Sequence, residues 1–205
     1  SHSNAVWQLH CDFLFRNKRR FSLNYLFDEF VIDPDIEVGK EHGKGISLKY
    51  LQSLNFKKPD ILNLYISYIA VGTPTFRHTN GSNNFVNNGR AIGWPGGSDS
   101  REIKLGFDYL KKENKILNFS VGFYQFGSEN IIYRSYERYE DYMKGTFPSN
   151  PLKQFIIFNS KVMLAFRKNL YFDFDFATNY PIKPNTISYS KYYTNFQVGL
   201  VYSDK

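Results

Sequence analysis

The sequence predicts an all-β chain: an antiparallel, up-and-down outer-membrane β-barrel of which about nine strands are present. Three observations carry this expectation. Aromatic residues make up 19% of the chain, with 20 Phe and 16 Tyr, and such side chains favour strands and settle where apolar and wet surroundings meet. Mean hydropathy is −0.45, and no apolar run approaches the ~18 residues of a spanning helix. Apolar and polar residues nevertheless alternate over long stretches, as in strands with one lipid-facing side. Lastly, short polar turns and long loops alternate along the whole chain.

Nine segments read as strands, at 4–16, 20–32, 45–56, 61–72, 101–110, 115–127, 153–167, 169–180 and 191–203. Most exceed the ~5–6 residues usual in soluble sheets. The first holds Cys11 within an apolar alternation, where it reads as a small buried or lipid-facing side chain. In the second, Phe21, Leu23, Tyr25 and Phe27 oppose Ser22, Asn24 and Asp28. In the fifth, Ile103, Leu105, Phe107 and Tyr109 oppose Lys104, Gly106 and Asp108. In the eighth, Leu170, Phe172, Phe174 and Phe176 oppose Tyr171, Asp173 and Asp175. In the ninth, Phe196, Val198, Leu200 and Tyr202 alternate. A period of two puts each set on one face of a sheet. The expectation is that Phe21, Leu23, Phe107, Phe172, Phe174 and Leu200 meet lipid. Lys104, Asp108, Asp173 and Asp175 should line a wet interior together with Lys49 and Lys161.

Between these strands, 17–20 (NKRR), 57–60 (KKPD), 111–114 (KKEN) and 167–169 (RKN) are short turns. Segments 33–44, 73–100, 128–152 and 181–190 are long loops. A barrel in an outer membrane alternates in this way because one end faces a confined periplasm and the other the outside. Nine is an odd count, whereas bacterial single-chain barrels have even numbers. Residues 1–205 therefore read as a single transmembrane barrel segment of a longer barrel, with strands missing on the N-terminal side. Gln197, Gly199 and Tyr202 resemble a barrel-terminal assembly signal, although Asp204 stands where a last aromatic is usual.

One cysteine excludes an internal disulfide, and SHSNAVWQLH lacks the charged and apolar regions of a signal peptide. The net charge of +7 is scattered and concentrated in turns, which argues against a nucleic-acid stripe. His2, His10, His42 and His78 show no metal-ligand spacing, and GWPGGS lacks the Lys-Ser/Thr of a phosphate loop. No cofactor is expected.

Two stretches, FSLNYLFDEFVIDPD at 21–35 and FRHTNGSNNFVNNGRAIGWPGGSDSREIKLGFDYL at 76–110, resemble the outer-membrane capsule assembly proteins known as the Wzi family. The first is an aromatic strand ending in Asp28, Glu29 and Asp33; the second is a Gly-Trp-x-Gly-Gly-x-Asp loop feeding a strand. The resemblance implies a larger barrel of about 18 strands, of which residues 1–205 would be the C-terminal half, that assembles or retains capsular polysaccharide at the surface of a Gram-negative cell, with no catalysis. Outer-membrane lipid, surface glycan and other envelope proteins are the partners it implies.

Loop 73–100 carries the richest chemistry. Sugars are bound by planar amides, charged forks and an aromatic face. Arg77, His78, Asn80, Asn83, Arg90, Trp94, Asp99 and Arg101 supply all three and are the candidate glycan-binding set. The plainer alternative is an outer loop rich in Asn and Gly because turns favour them. His78-Thr79-Asn80-Gly81 resembles the His-x-Ser-Asn-Gly stretch of outer-membrane lipid hydrolases, but Asn80 stands where the nucleophile would be. RSYERYEDYMK at 134–144 reads either as a short helix or as an aromatic, charged loop that also meets glycan, and the preferred reading is an amphipathic lid over the barrel mouth. A pore or a subunit of a larger envelope complex is the runner-up function, a lipid hydrolase the third.

Overall fold

A computed structural model of the protein describes residues 6–28, 38–55, 60–111, 115–138, 141, 144–167, 170–182 and 193–202. Nine long strands form one antiparallel sheet in which every strand pairs with its sequence neighbour. They are β1 (Trp7–Phe15), β2 (Arg19–Asp28), β3 (Gly43–Asn55), β4 (Ile61–Val71), β7 (Ser100–Lys111), β8 (Lys115–Phe126), β9 (Lys153–Arg167), β10 (Leu170–Pro181) and β11 (Tyr193–Tyr202). Two short strands, β5 (Val86–Asn87) and β6 (Arg90–Ala91), make a separate hairpin inside the β4–β7 connection. The expected strands are all present, with ends shifted by up to a few residues; the expected stretches 4–5, 29–32, 56, 169, 191–192 and 203 lie outside the described residues. Among the described residues β1 and β11 each pair with one neighbour.

Because the sheet is an antiparallel meander, the strand ends joined by the four short connections lie at one end of it and those joined by the four long ones at the other. The β1–β2 turn is tight because Asn17 and Lys18 both take left-handed φ, 66° and 59°.

Cross-strand partners share a face, so the register sorts the side chains. Starting from β4–β7, Leu64 lies opposite Phe107, Ile66 opposite Leu105 and Tyr68 opposite Ile103. The same face continues through Phe119, Val121 and Phe123 of β8, Ile156, Phe158 and Leu164 of β9, and Phe172, Phe174 and Phe176 of β10 to Phe196, Val198 and Leu200 of β11. In the other direction it runs through Leu48 and Tyr50 of β3 and Phe21, Leu23 and Tyr25 of β2 to Leu9, Cys11 and Phe13 of β1. Ring contacts knit it sideways: Phe107 stacks on Phe119 at 5.4 Å, Phe119 meets Phe158 edge-on at 4.8 Å, and Phe174 meets Phe196 edge-on at 4.9 Å. Thr178 and Thr194 interrupt the apolar face but answer each other, with their hydroxyls 3.1 Å apart.

The opposite face is polar through its middle. Ser53, Asn63, Asp108, Asn118, Lys161, Asp175 and Gln197 follow one another across seven neighbouring strands. Ser53 Oγ donates to Asn63 Oδ1 at 2.6 Å, Asn118 Nδ2 donates to Asp108 Oδ1 at 2.7 Å, and Lys161 Nζ lies 3.3 Å from Asp173. Lys104 pairs with Glu102 on the same face at 2.9 Å, and Lys49 Nζ sits 4.6 Å above the Tyr65 ring. The six residues expected to point one way and the four expected to point the other are thus on opposite faces of one sheet.

Candidate functional site

The long-connection end is where the chain buries side chains. Residues 72–99, between β4 and β7, and the described residues of 127–152, between β8 and β9, pack into a joint cap. Irregular backbone in such a cap has no ladder to satisfy its N–H and C=O groups, so side chains must do it. The first anchor ties the loop to the sheet. Thr75 Oγ1 accepts from Lys44 N and donates to Lys44 O, both at 2.9 Å. Phe76 has φ of 69°, rare for a bulky residue, and its N–H donates to the buried Asp28 carboxylate at 2.5 Å.

Buried side chains join the two loops, among them Asn84, whose Nδ2 donates to Ser135 O at 3.0 Å and Glu137 O at 2.7 Å. The Arg77 guanidinium is fully buried and donates to the carbonyls of Glu129 at 2.6 Å, Arg134 at 2.8 Å and Glu137 at 3.5 Å. Asn130 Nδ2 donates to Gly96 O at 2.8 Å and Ser98 O at 2.6 Å. Asp99, also fully buried and at φ 52°, accepts four bonds: from Thr73 Oγ1 at 2.9 Å, Glu129 N at 3.0 Å, Ser149 N at 2.8 Å and Ser149 Oγ at 2.5 Å. Four donors on one carboxylate hold a left-handed backbone that its own sterics disfavour. Gly127 makes the approach feasible, since a Cβ there would lie 2.1 Å from Asp99 Oδ2 and 2.5 Å from Ser149 N.

The eight sequence-selected residues do not form one cluster. Arg77, His78 and Asp99 are buried within the cap. His78 donates its N–H to Asn84 Oδ1 at 2.7 Å, and its Nδ1 accepts from Asn80 N at 3.0 Å. Asn80 caps the short 3₁₀ turn Gly81–Asn83, accepting from Ser82 N at 3.2 Å and from Ser82 Oγ at 2.8 Å. The hydroxyl nearest the histidine in sequence, Ser82, is therefore bonded to Asn80. Asn83 and Arg90 are exposed. Trp94 is half-buried, edge-on to Tyr124 on the polar side of the sheet at 5.7 Å. Arg101 is on the opposite side, where its Nε donates to Gln125 Oε1 at 2.6 Å in the row closing the apolar face. The Asn88-Gly89 pair, with φ of 49° and 71°, is the two-residue turn of the β5–β6 hairpin. Residues 134–138 of the expected lid form turns rather than a helix, while 139–140 and 142–143 lie outside the described residues.

What the sequence does not reveal is that segment 127–152 shares a polar cavity with Thr73 of the first loop. A polar cavity of about 370 Å³ opens between the two connections, with Thr73, Glu129, Arg134, Asp141, Thr146 and Ser149 among its walls. Arg134 is held by Glu129 and by Glu137, the latter at 3.3 Å. A second cavity of about 390 Å³ is apolar and lies at the rim of the sheet, between Tyr25, Ile46, Ala70 and Phe147. Among the described residues no group of three metal-ligating side chains occurs. No protein family, curated protein or solved structure matches this chain.

Proposed function

We propose that the chain is part of the wall of a transmembrane β-barrel in the outer membrane of a Gram-negative bacterium. Its long-loop end holds capsular or other surface polysaccharide without catalysing a reaction, as the resemblance to Wzi-like capsule assembly proteins implies. One observation supports this reading above others: the molecule is inside out. Among the described residues the buried apolar side chains are Ala70, Val71 and Ile131, while Leu105, Phe196, Val198 and Leu200 are at least half exposed on the apolar face. In water each large side chain left uncovered forgoes ~1.5–3 kcal/mol of burial. A hydrocarbon shell covers that face, and on β9 the stretch from Ile156 to Leu164 spans roughly 26 Å along the strand, comparable to the ~25 Å apolar band of such barrels.

The two tryptophans allow a direct test on the full-length protein, since Trp7 lies on the apolar face and Trp94 in the cap. With Trp94→Phe, lipids brominated along the acyl chain should quench Trp7 emission strongly. With Trp7→Phe, the remaining Trp94 emission should be insensitive to them. Equal quenching of both would reject the membrane placement. The glycan half is tested with the exposed residues. An Asn83→Ala/Arg90→Ala variant should insert normally and shed more polysaccharide into the medium than the parent. Unchanged retention would reject this loop as a contact.

The polar row from Ser53 to Gln197 favours a second reading, in which the barrel is a pore or one subunit of a larger envelope complex. Conductance across a planar bilayer containing the full-length protein is its test.

A further inference from the structure

The geometry points to a sugar subsite in the cavity between the two long connections, one that takes neutral or amino sugars in preference to acidic ones. This inference rests on the surface-glycan reading and adds a location and a ligand class to it. The cavity, at about 370 Å³, falls in the ~300–1,000 Å³ range of small-molecule sites and has room for a short stretch of a glycan chain. Its walls are polar. Glu129 and Asp141 bring carboxylates, which accept hydrogen bonds from sugar hydroxyls, and Thr146, Ser128 and Asn150 bring neutral donors and acceptors.

The floor of the cavity is rigid for a stated reason. Ser149, part of the lining, gives both its N–H and its hydroxyl to Asp99, and Ser128 Oγ donates to Asn150 O at 2.8 Å. A site held by bonds of this kind loses little conformational entropy when a ligand enters.

The charge balance sets the ligand class. The described walls carry two carboxylates, Glu129 and Asp141, against one guanidinium, Arg134. That guanidinium is already bonded to Glu129 and Glu137, and the lining residue Ser149 is bonded to a further carboxylate, that of Asp99. An entering uronate or phosphate would face a negative field, a protonated amino sugar an attractive one, and a neutral hexose neither. This differs from what the arginines of loop 73–100 alone suggest. Arg77, the one nearest the cap's centre, is committed to backbone carbonyls.

The experiment uses the full-length protein in detergent at low salt, where charge effects are least screened. Binding of three tetrasaccharides is titrated: one of glucosamine, one of glucose and one of galacturonate. The expected order of affinity is glucosamine, then glucose, then galacturonate. Asp141→Asn should lower affinity for the glucosamine tetramer about five- to tenfold and narrow the gap to galacturonate. Thr146→Trp, an exposed position at the cavity wall, should abolish binding of all three while the protein still inserts. Tighter binding of galacturonate, or binding untouched by Thr146→Trp, overturns the proposal. Polysaccharide retention by cells separates the two levels. If Thr146→Trp cells retain glycan while Asn83→Ala/Arg90→Ala cells shed it, the surface reading stands and the cavity is not the subsite. If neither variant sheds glycan, both fall.

Discussion

In the sheet, Asp108, Asn118 and Lys161 stand in one row across neighbouring strands and remain half-exposed; in the loop cap, Arg77, Asn130 and Asp99 are fully buried and give their polar atoms to backbone. The difference follows from what each region's backbone needs. Strand backbone is satisfied by the ladder, so strand side chains are released to define two faces. Loop backbone is not, so polar side chains are drawn inward to do the same work. Among the described residues the apolar burial that builds a soluble core is nearly absent from both regions: the sheet leaves its apolar face largely exposed, and the cap has Ile131 as its fully buried large aliphatic side chain. The lesson is that stability of the cap rests on hydrogen bonds, and stability of the sheet on the ladder plus whatever covers the apolar face.

Substitutions that cross this divide should have unequal effects. The largest is expected for Val198→Arg, which places a charge on the apolar face between Phe196 and Leu200 and should cost ~2–4 kcal/mol near a bilayer midplane. Its neighbour Gln197→Arg faces the other way, beside Asp175, and should be tolerated. The heat-modifiable folded fraction on gel electrophoresis compares the two directly. Equal loss would mean that the faces are not in different media.

Next comes Arg77→Ala, which removes a charged donor from three carbonyls and leaves them buried. A loss of about 2–3 kcal/mol is expected, confined to the cap. Hydrogen exchange should accelerate in 72–99 and 127–138 while the strands keep their protection. If the strands lose protection equally, cap and sheet fold as one unit.

Asp99→Asn should cost about 1–3 kcal/mol, because an amide nitrogen would meet donors on one side of that carboxylate. Ser149→Ala removes one of the four donors and should cost about 1 kcal/mol. A ranking of Ser149→Ala above Asp99→Asn in exchange measurements would place the centre of the network at the serine. The smallest effect belongs to Gly89→Ala. A Cβ at φ 71° strains the two-residue turn by about 1 kcal/mol, and exchange should rise at Ile92, whose N–H bonds Phe85 O at 2.9 Å.

Much of the sheet was legible before any coordinates because its information is local. Phe172 and Asp173, or Leu105 and Lys104, declare opposite faces by adjacency alone, and the turn at Asn17 and the Pro-Asp at 59–60 mark where one strand ends. The Asn88-Gly89 hairpin is equally local, a two-residue turn lying inside a loop rich in Asn and Gly. The candidate glycan set was less legible. Residue type named Arg77, His78 and Asp99 for their chemistry, yet all three are turned inward by the loop they belong to.

The sequence by itself determined where the long strands run, which side chains share a face and how short and long connections alternate, since a period of two and a turn both depend on residues within a few positions of one another. Tertiary structure alone decided which polar residues are scaffold and which line a cavity. The bonds that make that choice join Asp99 to Ser149 across 50 residues and Arg77 to Glu137 across 60, and no local pattern records which distant backbone group a buried side chain will meet.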